Sequence, residues 1–188
     1  MADELKDKKV AILVTDGFEE VELTKPREAL EEAGAQTQIV SPKSGSIKAW
    51  NHTEWGDKYE VDTPLSETNA GEFDALLLPG GVINGDHLRS HNDAVQFTSR
   101  FMESGKPVAV ICHGPWILIE TGKLKGKKMT SYPSLKTDLE NAGVHWVNEE
   151  VVTDHGLVSS RNPDDIPAFN SKMVEEFREG VHERMAAT

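Results

Sequence analysis

One cysteine, Cys112, is the whole thiol content of this 188-residue chain. An internal disulfide is therefore excluded, and a cytoplasmic setting is the default expectation. Basic residues are also in short supply. The 20 Lys plus Arg stand against 32 Asp plus Glu, a formal net charge of −12. Such a surface repels phosphate backbones and anionic lipid, so neither nucleic-acid nor membrane partners are expected. The only basic cluster, Lys123 to Lys128, is short. Apolar runs end at about five residues, where roughly 20 are needed to span a bilayer. The opening Met1-Ala-Asp-Glu-Leu-Lys-Asp-Lys-Lys9 has no apolar stretch, so no secretory signal is expected. Low-complexity tracts and fixed-period repeats are missing, and no linker divides the chain. Neither a dinucleotide-type nor a Walker-type glycine loop is present, which leaves nucleotide use unsupported and no cofactor expected. His87 and His91 are four apart with no further His or Cys beside them, so no metal centre is expected either.

The chain does have a hydrophobic fraction of 37%, enough for a packed core in one domain spanning residues 1–188. Short all-apolar runs alternate with stretches of helical period. Val10–Val14, Thr37–Val40, Ala75–Leu78 and Pro107–Ile111 read as strands buried on both faces of a parallel sheet. Helices are expected over Glu20–Ala33, Asp93–Glu103, Trp116–Thr121, Ser134–Ala142 and Pro163 to about Val181. A short strand is expected near Met129, and late strands at Val144–Val147, Val151–Thr153 and Leu157–Ser160. Asp154-His155-Gly156 joins the last two as a hairpin. Residues 43–72, less regular, with Trp50, Trp55 and strand-like Ser46–Ala49 and Lys58–Val61, read as a hairpin or arm off the sheet. The sum is an α/β fold with a mostly parallel, helix-covered sheet.

In such a sheet the ligand crevice lies beyond the carboxyl ends of the strands. Three segments leave those ends: Thr15-Asp-Gly-Phe-Glu-Glu20, Pro79-Gly-Gly81 and Cys112-His-Gly-Pro115. An isolated cysteine at a strand end is ordinarily a small buried hydrophobe. Here an apolar strand runs into Cys-His-Gly-Pro and then a helix, the pattern of a nucleophile elbow, except that Val110 stands where the full pattern has glycine. Gly114 allows the tight turn and Pro115 suits the first helical turn. The helix N-terminus is expected to depress the Cys112 pKa. His113 is the candidate base. Glu19, at a strand exit facing the elbow, is the expected acid beside the thiol, whereas Glu20 reads as a helix-start residue. Gly80 and Gly81 could bring backbone N–H groups to a reacting carbonyl oxygen, together with the His113 N–H.

Asp16-Gly-Phe-Glu-Glu-Val-Glu-Leu23, Phe73-Asp-Ala-Leu-Leu-Leu-Pro-Gly-Gly81, Gly105-Lys-Pro-Val-Ala-Val-Ile-Cys-His-Gly-Pro115, Thr130-Ser-Tyr-Pro133 and Ser159-Ser-Arg-Asn-Pro-Asp-Asp165 resemble the PfpI intracellular-protease branch of the ThiJ/PfpI superfamily. The likeness runs in order from about residue 9 to residue 178. It implies a flavodoxin-like, glutamine-amidotransferase-like α/β sandwich with helices on both faces of the sheet and a cysteine nucleophile elbow. It also implies Cys112 as nucleophile with His113 beside it, Glu19 as the acid contacting the thiol, Gly81 with the His113 N–H as the oxyanion pair, and Tyr132 near the pocket. The branch takes its triad acid from a neighbouring subunit. Asp86 stands near that place, so a homodimer or larger even-numbered oligomer with a shared site is implied.

The functions this suggests are a cysteine-dependent stress-response hydrolase or lyase, whether peptidase, deglycase or glyoxalase-like, acting on peptide, glycated or small carbonyl substrates. The alternative from another class is a redox-sensing or chaperone-like protein in which Cys112 is oxidised without turnover. A glutamine amidotransferase fails on one feature, because Arg161-Asn-Pro-Asp164 occupies the place of its distal His-x-Glu.

Overall fold

The computed structural model describes residues 3–182. In chain order the first half gives β1 (Lys9–Leu13), α1 (Glu20–Glu32), β2 (Gln36–Ser41), β3 (Ser46–Asn51), β4 (Glu54–Glu60), β5 (Thr63–Pro64), β6 (Ala75–Leu78), α2 (Val82–Arg89) and α3 (Asn92–Ser104). The second half gives β7 (Val108–Ile111), α4 (Pro115–Glu120), β8 (Lys128–Met129), α5 (Lys136–Asn141), β9 (His145–Trp146), β10 (Val151–Asp154), β11 (Leu157–Ser160) and α6 (Ile166–Glu179).

Seven strands form the central sheet in the order β10-β11-β7-β6-β1-β2-β5. Every pairing within it is parallel except β10 with β11. The all-apolar strands follow from that placement, since both faces are covered by helices. Side chains alternate. Ala11, Leu13, Leu76, Leu78, Val108 and Val110 pack with Phe97, Phe101 and Leu118 on one face. Val10, Ile12, Leu77, Ala109 and Ile111 pack with Leu30, Phe169 and Phe177 on the other. This is the mostly parallel, helix-covered sheet that the strand pattern implies, and the flavodoxin-like sandwich that the PfpI resemblance implies.

The irregular arm is a two-stranded antiparallel hairpin, β3 with β4, in which Trp50 faces Trp55 edge to face at 5.3 Å. Glu20 ties it to the body, its Oε2 accepting from the Asp57 N–H and the Tyr59 hydroxyl. One helix escapes the sequence pattern. α2 follows Pro79-Gly-Gly81 directly and contains Asn84-Gly85, which reads as a turn. Gly85 is there for contact, because a Cβ on it would sit 2.9 Å from the His113 carbonyl oxygen and 3.0 Å from the Trp116 ring. Asn84, fully buried, accepts from the Thr15 N–H and donates to the Pro79 and Gly80 carbonyls. It thus locks together two of the loops that leave the sheet at its carboxyl edge.

Candidate active site

Cys112 immediately follows β7 and adopts φ = 62°, a left-handed conformation that a side chain bearing a Cβ rarely takes. Neighbouring backbone holds it there. The Cys112 N–H donates to the Ser160 carbonyl, and the Tyr132 N–H donates to the Cys112 carbonyl. Such strain, concentrated at one residue between a strand and a helix, is the geometry of a nucleophile elbow. Val110, where the full pattern has glycine, is buried within β7 without obstructing the bend. The close approach falls to Gly114 instead, where a Cβ would sit 2.7 Å from Val110 Cγ2 and 2.8 Å from the Leu78 carbonyl oxygen. Pro115 opens α4.

The thiol is only 7% exposed. Its Sγ lies 3.1 Å from His113 Nδ1. The backbone N–H groups of Gly81 and His113 also interact with the sulfur. The His113 ring is held between Tyr132, stacked at 4.6 Å, and Trp116, edge-on at 5.2 Å. Gly81 reaches the sulfur with φ = 92°, and a Cβ there would collide with the Gly17 carbonyl oxygen. Gly80 leaves space between acid and thiol, since a Cβ on it would sit 2.7 Å from Cys112 Cβ and would also strike Glu22 Oε1.

The acid beside the thiol is Glu22, which corrects the expectation for Glu19. Glu22 lies in the first turn of α1 and is fully buried. Its Oε1 accepts from the Gly80 N–H at 3.0 Å, and its carboxyl couples to Cys112. Glu19 precedes the helix and points elsewhere. Its Oε1 accepts from the His52 N–H and lies 3.4 Å from His52 Nδ1, holding the hairpin tip at the rim. The sequence carries a signal for Glu22 that strand-exit reasoning overlooks. Glu22, Pro26 and Leu30 recur at four-residue spacing on the buried stripe of α1, where a carboxylate is out of place unless it has work to do.

Burial raises Glu22 to about 8, with the nearby Glu19 charge adding to the effect. The carboxyl is therefore mostly protonated at neutral pH and able to donate to sulfur. Burial also pushes the Cys112 thiol up, and an ionised Glu22 pushes it further; the Gly81 and His113 N–H groups oppose both. This corrects the expectation of a depressed thiol. The six-residue α4 offers its N-terminus, but the cost of desolvating a nearly buried thiolate is greater. Burial lowers His113 to about 4, so its imidazole rests neutral.

These shifts predict how stability changes with pH. Glu22 in the fold keeps its proton from its ordinary 4.5 up to about 8, so stability falls as pH rises across that window. His113 acts oppositely between about 4 and 6.5, where the unfolded chain binds more protons. Of these two groups, only Glu22 acts above 6.5. Unfolding free energy should decline by about 2 kcal/mol from pH 6.5 to 8, and Glu22→Gln should flatten that decline in urea titrations. An unchanged slope in the variant contradicts the assignment.

Cys112, His113, Glu22, Glu19, Gly81 and Tyr132 all border one cavity of about 530 Å³, together with Trp50, Val82, Asn162 and Asp164. Asp86 is the exception. It is exposed on α2, and among the described residues no carboxylate hydrogen-bonds or ion-pairs with His113.

The DJ-1/PfpI family model matches residues 8–176. The Bacillus subtilis protein named "Putative cysteine protease YraA" is 45% identical over 167 residues, covering 89% of this chain and 96% of that protein. A two-domain Anabaena variabilis protein containing DJ-1/ThiJ/PfpI-like and ferritin-like domains superposes with a TM-score of 0.84 at 34% identity, over 90% of this chain and 48% of that one. Drosophila melanogaster DJ-1beta superposes with a TM-score of 0.81 at 28% identity, over 96% and 94%. With a family match along nearly its whole described length and a relative this similar, the chain belongs to the DJ-1/PfpI family.

Proposed function

We propose that the protein is a cysteine-dependent enzyme in which Cys112 adds to electrophilic carbonyl groups, small aldehydes and glycated groups foremost. The observation that carries this reading is the strained elbow. It holds Sγ 3.1 Å from a neutral imidazole nitrogen, at the wall of a cavity roomy enough for a small substrate.

As the Sγ–carbon bond forms, the thiol proton passes to His113 Nδ1 and the carbonyl electron pair moves onto oxygen. The Gly81 and His113 N–H groups stabilise that oxygen. His113 then returns its proton. On an amide it goes to the leaving amine, the carbon–nitrogen bond breaks, and water hydrolyses the thioester to acid and free thiol. On a 2-oxoaldehyde such as methylglyoxal it goes to the oxygen of a hemithioacetal. A proton then moves from the former aldehyde carbon to the adjacent carbonyl carbon through an enediol, and water hydrolyses the resulting 2-hydroxy thioester to a 2-hydroxy acid and free thiol. A glycated amine in its hemiaminal form first breaks its carbon–nitrogen bond to release amine and aldehyde, and the aldehyde follows the same route. A histidine lowered to about 4 is a weak base but, once protonated, a strong acid. That balance suits aldehydes, which need little nucleophilic push, better than peptide bonds, which need more. Protonated Glu22 steadies the developing thiolate by donating to it.

Peptide cleavage calls for a carboxylate on His113. The reading supplies it as Asp86 of the partner subunit in a homodimer, exposed as Asp86 is on α2. Because Cys112 is the only thiol, iodoacetamide tests the proposal in the unmodified sequence. Turnover of methylglyoxal and of a glycated peptide should vanish on stoichiometric alkylation, and peptide cleavage should fall in Asp86→Ala while methylglyoxal turnover persists. Turnover that survives alkylation overturns the reading.

A further inference from the structure

Away from the Cys112 cavity, two buried polar atoms without hydrogen-bond partners face one another. They are Glu176 Oε2 and His182 Nε2, 3.3 Å apart, and the Glu176 side chain is only 8% exposed. Glu179 Oε2 lies 3.8 Å from the same nitrogen. One ligand atom from each of these three side chains falls within 4.8 Å of the others.

Backbone builds this berth. The His182 N–H donates to the carbonyl of Gly105, the left-handed residue that ends α3. The ring of His182 packs on Gly156 in the β10–β11 turn, where a Cβ would sit 2.8 Å from its Cδ2. The Gly156 N–H also donates to the Glu176 carboxyl. Histidine and both carboxylates are thus brought together by three separate elements: the end of α6, the turn between β10 and β11, and the end of α3.

We propose that Glu176, Glu179 and His182 form a binding site for a divalent transition-metal cation, with Zn²⁺ the best match. A tetrahedral zinc ion with nitrogen and oxygen ligands at about 2.0–2.2 Å sets those ligands roughly 3.3–3.5 Å from one another. The Glu176–His182 separation already satisfies this. Glu179, half-exposed, lies 3.8 Å from His182 Nε2 and within 4.8 Å of the Glu176 ligand atom, so its side chain must swing its carboxylate inward to complete the set. An imidazole with two carboxylates suits zinc better than calcium or magnesium, which favour six or more oxygen ligands. Water completes the coordination. The ion neutralises two carboxylates that otherwise share one histidine, and it fastens the end of α6 to the sheet. The site lies at the amino ends of β7 and β11, opposite the carboxyl edge that carries Cys112.

The test titrates ZnCl₂ into the full chain carrying Cys112→Ala, so that the thiol cannot compete for metal. Calorimetry should show one equivalent bound, and added zinc should raise the melting temperature. His182→Ala and, separately, Glu179→Gln should each weaken binding by tenfold or more and shrink the zinc-dependent rise in melting temperature. Glu179 is half-exposed, so its variant folds normally and isolates the loss of a ligand from any loss of packing. An ordinary Glu–His ion pair gives a different outcome. No zinc uptake in the Cys112→Ala chain, or uptake unchanged in both variants, overturns the proposal.

Discussion

Replacing Cys112 by alanine should lower turnover of methylglyoxal by about 10³-fold or more, with the melting temperature nearly unchanged. The expected size follows from the lack of any substitute nucleophile. Among the residues that line the cavity there is no second thiol and no serine or lysine. His113 cannot stand in for the thiol, because its ring is fixed between Tyr132 and Trp116 and its free role is to carry the proton. Structural cost is small by comparison. The Cys112 N–H and carbonyl bonds to Ser160 and Tyr132 are made by backbone and persist in alanine, as does the strain at φ = 62°. A variant that folds and keeps more than about a tenth of wild-type turnover removes Cys112 from the chemistry.

Gly81→Ala should damage both the fold and the reaction. A φ of 92° is open to glycine but strained for alanine by about 1–3 kcal/mol. The added Cβ also meets backbone rather than a yielding side chain, since the Gly17 carbonyl lies against it and the Glu19 nitrogen is 2.7 Å away. Strain and overlap together should cost about 3–5 kcal/mol in urea unfolding. The same shift moves the Gly81 N–H off the sulfur and the developing oxyanion, a loss of about 10²-fold in turnover for what remains folded. A cost below about 1 kcal/mol means that the loop can move freely and does not hold the site in shape.

How much of this was legible in the sequence depends on the distance over which each feature is decided. The four buried strands, the elbow at Cys112 and the β10–β11 hairpin are local patterns, and each lies within a residue or two of where periodicity and turn chemistry put it. α2 was not legible. Its Asn84-Gly85 pair means a turn in isolation and means close packing only once His113 and Trp116 lie against it. The choice between Glu19 and Glu22 fails for a related reason. Strand-exit position favours Glu19, whereas the helical stripe of α1 turns Glu22 inward, and only the approach of the Gly80 loop shows which carboxyl meets sulfur. The thiol's raised pKa was likewise hidden, because burial is a property of the packed fold and the helix N-terminus is a property of the sequence pattern. Asp86 is on the surface, and nothing within one chain turns it toward His113.

Cys112 and Glu22 form one coupled acid–thiol pair, and thiol alkylation against pH measures that coupling most directly. A coupled pair loses its protons in macroscopic steps that belong to neither residue alone. In the wild-type chain the iodoacetamide rate at Cys112 should rise through a step near pH 8, where the pair gives up its first proton, and rise again at higher pH. Glu22→Gln keeps the shape of the side chain but has no proton to share, so the step near 8 should disappear and leave a single titration. The same profile in both proteins, with one step at the ordinary free-thiol value of about 8.5, means that Glu22 and Cys112 are not coupled.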